Sequence, residues 1–117
     1  MLGALGRARL KLGVGVAALL ALALGLRGRE EHAASVRATR AAITNATRQI
    51  ASYRADHGGK CPAALPELVA QGYARDVPVD AWGRPLRLTC PGRRDPRAFD
   101  ISSDGPDGVP GGLDRVE

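Results

Sequence analysis

Fifteen consecutive uncharged and mostly apolar residues, Leu12 to Leu26 (LGVGVAALLALALGL), follow three basic residues, Arg7, Arg9 and Lys11. A basic start before an apolar run is the layout of an export signal or a membrane anchor, so the chain is expected to leave the cytoplasm. As a helix the run reaches about 22 Å, short of the roughly 30 Å hydrocarbon core, and a spanning segment needs Lys11 and Arg27 to extend their charged ends to the interfaces. The basic start orients the N-terminus to the cytoplasm, although Arg27 and Arg29 weaken the asymmetry. Ala21-Leu22-Ala23 also reads as a small-x-small cleavage site. Two readings therefore stand for residues 1–26: a retained inner-membrane anchor through residues 12–26, or a signal peptide whose removal leaves Leu24 first. Residues 27–117 form one exported domain in either case.

That domain has little to build a core from. The chain holds only four aromatic residues, Tyr53, Tyr73, Trp82 and Phe99, so burial rests on Ala, Leu, Val and Ile. A domain of about 90 residues with a thin core is near the size at which an added constraint is needed. The formal charge of +5 points to nucleic acid until it is located: from residue 27 onward 14 basic residues face 12 acidic ones, and from 104 the balance is acidic. Arg37, Arg40, Arg48 and Arg54 along one helix read as a solvated face, and no nucleic-acid partner is expected.

Cys61 and Cys90, each followed by proline, are expected to form a disulfide in an exported chain. In the chain-entropy account a loop of about 30 residues closed in this way stabilises by roughly 3–4 kcal/mol. A metal on the cysteines needs two further ligands, and His57 is the only histidine nearby. His57 as a base to a reactive thiol is the remaining alternative.

From Ala33 to His57 there is neither proline nor glycine, and Val36, Ile43 and Ile50 recur every seven residues with Thr39, Ala46 and Tyr53 between. This predicts one amphipathic helix packing a narrow stripe on the chain's own sheet, ended by Gly58-Gly59. Ala64–Gln71 predicts a short helix with Leu65, Leu68 and Val69 inward. Residues 77–85 predict an irregular, anchored loop around Trp82, and Leu86–Cys90 and Ala98–Ser102 predict two strands joined by a broad turn. No regular element is expected beyond Ser103.

The order of these features resembles the G-type major pseudopilins of bacterial type II secretion systems. The resemblance rests on SYRADHGGKCP (52–62), ELVAQGY (67–73), VPVDAWGRPLRL (77–88) and FDISSDGPDGVPGG (99–112), about 65 residues in all. It implies an α+β fold with a long N-terminal helix on a small antiparallel sheet. It further implies a non-enzymatic role in assembling a secretion or pilus-like machine with other subunits, in the periplasm and at the inner membrane. The alternative is a small secreted binding module that shares the fold.

The resemblance also implies calcium in the C-terminal loop, with a carboxylate at the position of Asp107 and a backbone carbonyl at that of Asp104. The residues suit this independently. Calcium takes six to eight hard oxygens, and Asp104, Asp107 and Asp114 supply carboxylates among turn-forming glycines. A tail whose only apolar side chains are Val109, Leu113 and Val116 cannot be ordered by burial alone. A solvated acidic loop is the competing reading. Trp82 is expected to anchor the loop 77–85, with ligand stacking as the alternative. At the N-terminus Gly6 falls near the family's processing glycine and Lys11 near its membrane glutamate. Prepilin peptidase is accordingly not expected to process the chain.

Overall fold

The computed structural model describes residues 2–112 and 114–117, with backbone alone for residues 2–8 and 10. The side chain of Arg7 and all of Leu113 thus lie outside the described residues. The chain divides into two compact units, Met1–Ala34 and Ser35–Glu117.

Helix α1 covers Leu2–Asp56 and so begins far before the expected Ala33. The reason is covalent: no proline occurs before Pro62, and the glycines of the apolar run weaken a helix without ending it. In the first unit the side chains of Leu12, Leu19, Leu20, Leu22, Leu24 and Leu26 are exposed. The helix contains a stretch apolar enough to cross a membrane.

In the second unit the seven-residue pattern of α1 becomes a buried stripe. Thr39, Ile43, Ala46, Ile50 and Tyr53 are all buried, and Val36 is half-buried at its start. The helix stops at Gly58, which has φ +66°, after Gly59 N–H donates to Arg54 O at 2.7 Å. A short helix α2 follows at Pro66–Ala70, two residues later than expected because proline occupies its first position. Strands β1 (Arg87–Thr89) and β2 (Asp100–Ser102) pair antiparallel, with Arg87 opposite Ser102, Leu88 opposite Ile101 and Thr89 opposite Asp100. Ile43, Ala46, Ile50 and Tyr53 share one core with Leu65, Leu68, Leu86, Ile101 and Val116. The fold is α+β, a long helix with a two-stranded antiparallel sheet.

Two constraints join the end of α1 to the rest of the second unit. Cys61 and Cys90 are disulfide-bonded with their Cα atoms 6.5 Å apart, tying the segment after the helix to the end of β1. Both thiols are consumed, which removes the reactive-thiol and cysteine-metal readings. Glu67 is the second constraint. Its Oε2 accepts from Ala63 N–H at 2.6 Å and its Oε1 from the Tyr53 hydroxyl at 2.9 Å, while the Tyr53 ring stacks on His57 at 3.8 Å between centroids.

These contacts hold the Glu67 carboxyl below its ordinary range, first through the Ala63 N–H and then through the Tyr53 hydroxyl. Burial first, and the Glu67 bond second, push the Tyr53 hydroxyl up. A depressed carboxyl binds fewer protons folded than unfolded, so its contribution is present above the ordinary glutamate range and is lost as pH falls through the lower folded value. Glu67→Gln should therefore flatten part of the acid limb of stability against pH, read by denaturant unfolding at several pH values; an unchanged acid limb contradicts the assignment. Ile50→Ala, at a fully buried position, should cost about 2–5 kcal/mol in the same assay.

Candidate functional site

The loop between α2 and β1 is built around one carboxylate. Asp80 is buried, and its Oδ1 accepts from the N–H groups of Trp82 and Arg84, both at 3.0 Å. Asp80 N–H donates to Arg84 O at 2.8 Å, and Val79 pairs with Pro85, which turns the expected irregular loop into a closed hairpin-like turn. Within that turn Trp82 is half-buried against the core. The Ser103 hydroxyl donates to Asp80 Oδ2 at 2.6 Å and accepts from Gly105 N–H at 3.0 Å, which binds the start of the C-terminal loop. One residue on, Ala81 N–H donates to Thr39 Oγ1 at 3.1 Å, and the Thr39 hydroxyl donates to Ser35 O at 2.8 Å, which fixes the turn to α1.

Beyond β2 the chain is not free of pairing. Ser103 and Val116 form an antiparallel bridge with N–H donations of 2.8 and 3.0 Å in the two directions, and Val116 is buried in the core. The loop 104–115 is thus closed at its base. Gly105 makes that closure sterically feasible: it has φ +81°, and a Cβ there would stand 2.0 Å from Asp114 O.

Inside the loop the three acidic residues have separate surroundings. Asp104 is buried, and both its oxygens accept from Arg87 Nε, at 2.6 and 2.8 Å. That carboxylate pushes the Arg87 guanidinium further up. Asp107 is exposed and its Oδ1 accepts from Val109 N–H at 3.0 Å, a local turn bond. Asp114 is exposed as well, and it meets the loop through its backbone against Gly105. Arg84 Nη1 donates to Gly105 O at 2.9 Å and to Pro106 O at 3.3 Å. Among the described residues no three His, Cys, Asp or Glu side chains gather around a common point.

Across the sheet an open groove of about 620 Å³ is lined by Arg87, Arg93, Arg94, Arg115, Asp104 and Glu117 among others. Its charges are interlocked: Glu117 accepts from Arg94 Nη2 and from Arg115 Nη2, each at 2.5 Å. Arg54, one of the four helix arginines, turns inward. It donates to Gly59 O and to Arg97 O, and its guanidinium lies 5.4 Å from the centre of the Phe99 ring. The basic row read from sequence is therefore broken in the structure.

Comparison with known proteins settles the family. The sequence model described as "Type II secretion system (T2SS), protein G" matches residues 28–117, most of the chain. The chain belongs to that family, the G-type pseudopilins. It is 46% identical over 44 residues to the type II secretion system core protein G of Pseudomonas aeruginosa, covering 38% of this chain and 30% of that protein. It is 45% identical over 58 residues to the protein of the same name from Pectobacterium carotovorum, covering 47% of this chain and 36% of that one. The chain thus spans about a third of the length of these curated relatives. No solved structure matches.

Within this pseudopilin domain the Asp80 turn is the element whose loss is expected to cost most. Asp80→Ala leaves the Ser103 hydroxyl and two N–H groups without their acceptor and should destabilise by about 2–4 kcal/mol in denaturant unfolding. Asp80→Asn keeps one acceptor oxygen and should cost less. Equal losses in the two variants would mean that the charge, rather than the acceptor geometry, holds the turn.

Proposed function

We propose that the chain is a membrane-anchored pseudopilin that serves type II secretion by assembling with other subunits of the secretion system. Residues 12–26 lie in the inner membrane, residues 27–117 lie in the periplasm, and the contribution is structural rather than catalytic. The observation that carries this reading is the family match across the whole of residues 28–117.

Three features support it. The apolar side chains of residues 12–26 are exposed in their own unit, so lipid is their natural surrounding. The disulfide suits an oxidising compartment such as the periplasm. The exposed face of α1, which carries Arg37, Arg40 and Arg48, and the charged groove over the sheet offer polar surfaces of the kind found at assembly contacts.

Fractionation should recover the protein in the inner membrane, resistant to carbonate washing, with a C-terminal reporter active only outside the cytoplasm. Photo-crosslinkers placed at Arg40 and Arg48 should capture other secretion-system subunits, and deletion should lower secretion. Soluble periplasmic protein beginning at Leu24 would instead establish cleavage and favour the secreted binding module. Unimpaired secretion in the deletion strain would overturn the reading outright.

A further inference from the structure

The C-terminal loop presents the oxygen atoms a cation would use, and in this structure they are occupied by the chain's own guanidinium groups. Asp104 has given both carboxylate oxygens to Arg87 Nε. The carbonyls of Gly105 and Pro106 both accept from Arg84 Nη1. Asp107 is engaged with Val109 N–H, and Asp114 does not converge with the other two carboxylates. Calcium binding needs six to eight oxygens turned on one point, so the residues as placed do not fit that ion.

We propose that Arg84 and Arg87 form an internal arginine clamp that orders the loop 104–115 in place of a divalent cation. The tail of this protein therefore folds without metal. Each guanidinium is positioned by structure that precedes it. Arg84 is fixed through its backbone: its N–H donates to Asp80 Oδ1 and its carbonyl accepts from Asp80 N–H, so its side chain leaves a rigid turn in a set direction. Arg87 stands in β1 opposite Ser102, two residues from Asp104. Its partner Asp104 is buried, where the carboxylate would be costly without a charged donor.

Gly108 supplies the space for the clamp. A Cβ on Gly108 would stand 2.6 Å from Arg84 Cζ and 2.8 Å from Arg84 Nε, so a side chain there would displace the guanidinium from its present position, and φ +69° at this residue favours glycine as well. The guanidinium thus lies beside Gly108 while its Nη1 binds the two carbonyls.

The test uses the full chain in detergent and follows loss of the C-terminal segment by intact mass during limited proteolysis with a broad-specificity protease. The wild-type tail should be cut at the same rate in millimolar calcium, in millimolar magnesium and in EDTA. Arg84→Ala should be cut about tenfold faster or more in all three, with the disulfide-held core intact, because protection falls with the loop's local stability. Arg87→Ala removes the other arm of the clamp without touching the loop backbone, and it should give the same acceleration. Slower cutting of the wild-type tail in calcium than in magnesium or EDTA would overturn the clamp in favour of a metal site. An unchanged rate in both variants would overturn it in favour of a loop held only by its base.

Discussion

The buried carboxylate of Asp80 is the contact on which the arrangement of this small domain depends. Two strands of three residues and a helix of five bury little surface, so the segments between them must be fixed by other means. Asp80 closes its own turn through two N–H groups and reaches the base of the C-terminal loop through the Ser103 hydroxyl. The next residue, Ala81, reaches α1 through Thr39. Helix, turn and tail are thus brought to one point by a single acidic side chain and its neighbour. Burial strengthens this arrangement and makes it intolerant, since any donor left without its acceptor loses a hydrogen bond that water cannot replace.

The disulfide and the Glu67 contacts act on the other end of the domain. Cys61–Cys90 limits how far the segment after α1 can move from β1, and Glu67 draws α2 onto Tyr53. The two ends are complementary. One is held by a covalent bond and stacked rings, the other by a polar network. The hydrophobic core between them consists mainly of aliphatic side chains from α1, α2 and the sheet.

Where the sequence was informative, periodicity was the reason. The stripe at 39, 43, 46, 50 and 53 is buried, with Val36 half-buried at its start, as its seven-residue spacing predicts, because one helix face alone determines it. The two strands stand within the predicted spans, 86–90 and 98–102. The contact between Ser103 and Val116 was not legible: it joins residues 13 apart across a stretch rich in glycine and proline, where no pattern records pairing. The arginine contacts were hidden similarly. Arg87 and Asp104 are 17 residues apart, and Arg84 meets carbonyl groups, which no sequence displays. The acidic residues of the loop were visible, whereas the cations facing them became visible only with the fold. Proline at 66 explains the late start of α2, because its ring suits the first turn of a helix.

The apolar segment obeys a different logic from the domain. Leu12, Val14, Val16, Leu19, Leu20, Leu22, Leu24 and Leu26 are all exposed, and at about 1.5–3 kcal/mol for each such side chain the cost of keeping them in water is roughly 12–24 kcal/mol. That matches or exceeds the whole stability of an ordinary domain, roughly 5–15 kcal/mol. A segment of this kind is suited to lipid or to cover by another chain as long as it is retained. Lipid and a partner helix compete for the same side chains. In lipid, however, leaving the membrane for a partner brings little hydrophobic gain, because hydrocarbon already surrounds the leucines. Any assembly through this segment must then be decided by close packing and by polar or charged groups at its ends. In this chain those groups are Lys11 on one side and Arg27 and Arg29 on the other, followed by Glu30 and Glu31. On the proposed membrane reading, the apolar run sets where the chain resides, and the charges that flank it bear on which neighbours it accepts there.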